Sequence, residues 1–334
     1  MDLRLIAATA IATMVAVVTA AGAQTGNRDP RLPIDDLPIV ARITVPASAD
    51  WMTFGFGSVW VVNYRPSRVS RIDVATNRVT ADIPIGRNGC LGIVAALGRV
   101  WVPTCGDSVV NEIDPAKDSV VRRIPAPIKS GREGAAAFLD NALWIPDNAT
   151  DSSSNAVVRL DLRSGAVTDR VATAARTDVV VAGFGSIWAS SSAENVVFRI
   201  DPATKRVVAR IPVGRSPKFM AAGEGAIWVQ NRYDGSVSRI DPAANREIAR
   251  ITAWAPTPAG DIAADGGAVW LGVDGTPVIR IDPRTNAVTH AFVGGYGIDA
   301  IRWGAGALWV ADHSKGEVWR IDERRFPPVK PNER

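Results

Sequence analysis

Two histidines, two cysteines and a scattered set of polar side chains are the parts of this 334-residue chain that could do chemistry. His313 follows Asp312, and an imidazole held by a carboxylate can act as a general base near neutral pH. Asp178 and Asp299 could bind calcium or share acid-base work if the fold brought them together. Asn63, Tyr64, Arg87, Asp147, Lys218, Asn231 and Tyr233 offer the donors and acceptors of a recognition surface. No GxSxG, HExxH or phosphate-binding loop accompanies them, so the common hydrolase, zinc-protease and nucleotide-binding signatures are missing. No catalytic residue and no metal ligand set is nominated on this basis.

What must position these residues is a repeat. Trp60, Trp101, Trp144, Trp188, Trp228, Trp270 and Trp309 recur at steps of 39 to 44 residues. An aspartate follows each tryptophan: Asp73, Asp114, Asp161, Asp201, Asp241, Asp282 and Asp322. Each aspartate is preceded by Ile or Leu, and that residue by Arg in every copy but one, where Glu112 stands. A valine lies two residues before the Arg/Glu position in all copies, from Val69 to Val318. Short apolar runs at such a period, separated by turn residues, are the signature of a propeller.

The copy around Trp228 divides into four strand-like runs, 218–222, 226–230, 236–240 and 247–251, with Gly, Asp and Pro between them. Asp-Pro pairs such as Asp201-Pro202 and Asp241-Pro242 read as turns in which the aspartate caps the backbone. The tryptophans read as wedges between neighbouring sheets, and the recurrent arginines as stems laid along the blade with their heads outward. The last copy lacks a fourth run, while IVARIT at 39–44 nearly duplicates EIARIT at 247–252. The expected fold is therefore all-β: a seven-bladed β-propeller of four-stranded antiparallel blades, its last blade closed by residues 38–45.

Residues 1–23 carry an apolar run ending in Ala21-Gly22-Ala23, the pattern of a cleaved secretory signal. Residues 24–36 read as a disordered lead, 37–325 as the propeller and 326–334 as a tail. The chain is expected to be secreted or periplasmic, monomeric and without a membrane segment once the signal is removed. Its 38 basic and 34 acidic residues are interspersed, which gives no support to nucleic-acid binding. Cys90 and Cys105 flank a hairpin centred on Leu97-Gly98, a geometry that a disulfide in an exported protein would span.

In a propeller the loops after the second and fourth strands share one face, which becomes the expected working face. Three residues after the tryptophans the chain reads Asn63, Thr104, Asp147, Ser191, Asn231, Val273 and Asp312, polar and varied. Tyr64, Tyr233 and His313 are loop neighbours, and Arg87, Asp178, Lys218 and Asp299 come from the other set of connections. The longer segment 147–155 should project from the same side. Together these form the candidate site for a small molecule or a protein partner, with no cofactor required.

Repeats of the form GxIWV, VxRID and IPVG resemble the secreted YVTN-type propellers and those of streptogramin (virginiamycin B) lyase, from about Leu37 to Asp322. The lyase resemblance implies a ring that opens a cyclic depsipeptide ester by elimination, assisted by a divalent metal such as Mg²⁺ or Ca²⁺ at the channel mouth. Its repeats typically read W-F-T-E, with catalytic Glu and His on inner strands. This chain has no Glu three residues after any of the seven tryptophans and no His at an inner-strand start. Two readings follow: an exported, non-catalytic binding propeller, or a lyase or hydrolase acting on a cyclic or ester-containing small molecule.

Overall fold

A computed structural model describes residues 29–46, 48–128, 134–147, 155–257 and 260–329. The expected signal at 1–23 and residues 148–154 of the segment expected to project from the third copy lie outside them. Each repeat folds into a four-stranded antiparallel sheet, and seven such sheets form the ring. Among the described residues the only other regular structure is two short 3-10 turns, Ile34–Asp36 and Glu323–Arg325.

Burial follows the strand's place in the blade. The second strands, such as Ser58–Asn63, Ser186–Ser191 and Ala226–Asn231, are buried along their whole length because both faces meet a neighbouring sheet. The outer strands alternate, as in Arg206–Pro212, where Val207, Ala209 and Ile211 turn inward. The innermost strands of adjacent blades touch all the way round, from Ala49–Gly55 of blade 1 to Ile298–Gly304 of blade 7 and back.

The closing strand is where the duplicated motif placed it. Ile39–Thr44 pairs antiparallel with Glu317–Ile321, with Ile39 opposite Ile321 and Ile43 opposite Val318. Order begins earlier than the expected lead allows, however. Arg31–Pro33 adds a fifth, parallel strand to the outer edge of blade 6, Leu32 facing Phe292. An open edge beside an apolar stretch recruits the chain that passes it. The tail departs in the same way: Phe326 packs edge-on or tilted against Trp270, His290 and Phe292, with ring centroids 6.1, 5.2 and 4.8 Å away.

The repeat residues have defined tasks. Asp73 Oδ1 accepts the amide hydrogens of Ala75 and Thr76, and Asp201, Asp241 and Asp161 cap their turns alike. These bonds hold the four carboxyls below their ordinary range. Trp60, Trp188, Trp228 and Trp309 are fully buried and donate their indole hydrogens to carbonyls five residues back.

The arginines do more than lie along the surface. Arg239 stacks over Trp228 at 5.0 Å and reaches into the next blade, donating to Pro283 O at 2.6 Å and Asn286 Oδ1 at 2.9 Å. Arg71, Arg199 and Arg320 repeat the bridge, the last joining blade 7 to Val74 and Asn77 of blade 1. In blade 2 the glutamate at this position instead holds Arg122, and Arg122 makes the bridge to Leu162 and Arg163 of blade 3. The exception in the sequence thus preserves the link by another route.

Cys90 and Cys105 form the expected disulfide, Cα to Cα 5.8 Å. The Cys90 carbonyl also accepts Gly134 N at 3.4 Å, and Ala135 O accepts Val180 N at 2.8 Å, so blades 2, 3 and 4 are tied at their inner edges. A side chain at Gly134 would sit 2.2 Å from Asp178 O, so only glycine fits there.

Candidate functional site

The loops after the second and fourth strands meet on one face. Tyr64 N donates to Ser48 O, Gly106 N to Arg87 O, Arg232 N to Ser216 O and His313 N to Gly297 O. Just below them, four inner strands carry a β-bulge at one register. Ala49, Thr177, Pro217 and Ile298 each pair with the residue three after their blade's tryptophan, and pairing is irregular immediately afterwards. The bulges hold Asp50 and Trp51, Asp178, Lys218 and Phe219, and Asp299. A bulge re-aims side chains, and here each one carries a charged residue at the loop-face end of its inner strand.

Two of these carboxylates have clear partners. Asp299 Oδ2 lies 2.8 Å from His313 Nδ1, so the histidine pairs with Asp299 rather than with its sequence neighbour Asp312. Asp178 is buried and accepts Ser192 Oγ at 3.0 Å. Lys218, also buried, lays its ammonium over the Phe219 ring at 4.6 Å. At the rim, Tyr64 and Arg87 line one groove of about 530 Å³ between blades 1 and 2. Arg87 also clamps Asp107 at 2.8 Å. Tyr233 is exposed on its loop.

The residues three after the tryptophan serve the blades instead. Asn63, Asn231 and Asp312 have no exposed surface. Asn63 Nδ2 donates to Ser70 Oγ, Asn231 Nδ2 to Ser236 and Ser238, and Asp312 accepts Ser314 Oγ and Lys315 N. Asp147 is buried against Arg170. Their variety along the sequence reflects different local partners, since a buried polar group must be matched by whatever lies opposite.

The channel itself contains residues that the repeat pattern did not single out. Trp51 of blade 1 and Phe219 of blade 5 meet across it, centroids 5.7 Å apart and edge to face. Beside them Asp261 accepts the amides of Ile262 and Ile301 and pairs with the Arg302 guanidinium. Burial outweighs this pairing and pushes the Asp261 carboxyl up to about 6. Arg302 stands over the Trp51 ring at 5.9 Å. The available signal was an aromatic or charged residue opening an otherwise aliphatic inner strand.

The described residues bring no three His, Cys, Asp or Glu side chains together in a way that could hold a metal ion. One imidazole and one carboxylate, His313 and Asp299, are too few ligands to fix a divalent cation. His290, half-buried among Phe292 and Phe326, has its basicity lowered by desolvation and belongs to the packing of blade 6. No helix among the described residues is long and apolar enough to cross a membrane.

No family model matches the sequence, and no curated protein matches it. Among solved structures the chain is similar to one described as the streptogramin B lyase structure, with a TM-score of 0.67 and 15% identity over 84% of this chain and 96% of that one. At that identity the likeness shows a shared fold: this chain is a seven-bladed β-propeller of the architecture seen in streptogramin B lyase.

Proposed function

We propose that this is an exported, monomeric propeller that binds a small molecule at the loop-face mouth of its channel without turning it over. The observation that supports the reading is the set of matched bulges: Asp178, Lys218 and Asp299 stand at the same register of their inner strands, and Asp299 pairs with His313. Fixed charges on rigid strands suit recognition of a polar ligand. Export, to a periplasm or beyond, is supported by the Ala-Gly-Ala pattern at 21–23 and by the disulfide. A thermal-shift screen of a metabolite library, with and without Mg²⁺ or Ca²⁺, tests it on wild type, Lys218→Met and Asp178→Asn. Hits that stabilise wild type and fail with both variants support the reading; hits indifferent to both variants refute it.

One observation favours a second reading. The Asp299 carboxylate stands 2.8 Å from His313 Nδ1, and a carboxylate beside an imidazole raises the basicity a general base needs. The protein would then act as a lyase or hydrolase on a cyclic or ester-containing compound at the same face. Turnover of a cyclic depsipeptide by wild type, lost in His313→Ala with the fold intact, would establish it; equal rates with and without His313 would remove it.

A further inference from the structure

Beyond the mouth, the channel holds a second, separate space. A cavity of about 350 Å³ begins at the level of Trp51, Phe219 and Asp261 and runs to Phe138, Ala182 and Ala222. Those last three lie next to the turns between first and second strands, so the cavity extends towards the face opposite the loops. The Trp51 to Phe219 contact stands between it and the mouth. Its walls are Val94, Val179, Val181, Met220 and alanines 135 to 137, and its volume falls at the small end of the ligand-pocket range of about 300–1,000 Å³.

Charged side chains enter this space only through Asp261 and Arg302. The Asp261 carboxylate is fully engaged, by two backbone amides and the guanidinium. Arg302 is not. Its Nη1 serves Asp261 and Ile301 O, while Nε and Nη2 donate to none of the described residues. That open edge of the fork matches a carboxylate in bidentate geometry. A second donor is also unsatisfied: Trp51, 4% exposed and part of the wall, has no partner among the described residues for its indole hydrogen. One buried donor, the Trp51 indole, and one partly exposed donor edge, that of Arg302, thus stand beside aromatic and aliphatic walls.

We propose that this cavity is a binding site for a small carboxylic acid with a planar apolar body, the acid on the Nε and Nη2 edge of Arg302 and the body among Phe138, Val179 and Met220. The inference does not rest on the loop-face reading, and His313→Ala should leave it unchanged. Titration calorimetry of the mature protein with indole-3-acetate and phenylacetate, each against its matched amide, tests it. At least one acid should bind, with its amide weaker by about 10–100-fold, the worth of a charge-assisted pair. Arg302→Lys keeps a cation opposite Asp261 but loses the fork, and should weaken the acid by a similar factor. Should that variant misfold, Val181→Phe, which fills the cavity from a strand position, should abolish binding. Equal affinity for acid and amide, full affinity in Arg302→Lys or Val181→Phe, or no binding of either acid at millimolar concentration would overturn the proposal.

Discussion

Replacing Arg239 by Met keeps an apolar stem on Trp228 and removes the link between blades 5 and 6. The guanidinium donates two short hydrogen bonds, 2.6 and 2.9 Å, and stacks on the indole at 5.0 Å. A charged hydrogen bond is worth about 1.5–3 kcal/mol and a partly buried cation–π contact about 0.5–2, but terms sharing one group do not add fully. The expected loss is therefore about 2–4 kcal/mol, read as a lowered denaturant midpoint. Arg159 provides the internal control, because it donates to Thr168 and Asp140 within its own blade. Arg159→Met should cost about 1 kcal/mol. Equal losses in the two variants would show that the arginines act through their stems alone, and the inter-blade bridge would have no energetic role.

Other perturbations read the same geometry. Deleting 39–44 removes a paired strand and should abolish cooperative unfolding, whereas deleting 24–28 should leave the denaturant midpoint nearly unchanged. Truncation after Arg325 removes Phe326 from three rings and should lower stability by about 1–3 kcal/mol. Unreduced mature protein should show no free thiol on titration with a chromogenic disulfide reagent, and two after reduction and denaturation. The Asp261 carboxyl lies at about 6 in the fold against 3.8 ordinarily, so the folded state binds the extra proton. Stability relative to Asp261→Asn should thus fall as pH rises from about 4 to 6 and level off above. The turn-capping aspartates act oppositely: their depressed pKa values give stability that is present above about pH 4 and lost as pH falls further.

The architecture was legible because repetition copies its own signal. Seven tryptophans set the count, and the IVARIT duplicate revealed a strand exchange across almost the whole chain. The aspartates were legible as caps because their role is local. The site was less so, for reasons of register. A bulge adds one residue without altering composition, so Trp51 and Phe219 carried no sign of facing the channel, although their neighbour Lys218 was among the candidates. The polar residues after the tryptophans looked like a ligand surface, yet their partners were in view: Asn63 with Ser70, Thr104 with Asn111 and Asn231 with Ser238 all stand seven residues apart. That spacing is set by a two-strand hairpin and marks a polar pair closed within the blade. The arginine bridges were hidden because each acceptor lies 40 or more residues away, in the next repeat.

Whether a ligand sits at the mouth of the channel can be read by hydrogen exchange with the strongest hit of the metabolite screen bound. Exchange should slow in the peptides covering 49–52, 177–180, 217–220 and 298–301, leaving the outer strands 206–212 and 246–252 at their free rates. Protection confined to the outer strands, or to the opposite-face turns at 98, 185 and 225, would contradict binding at the mouth.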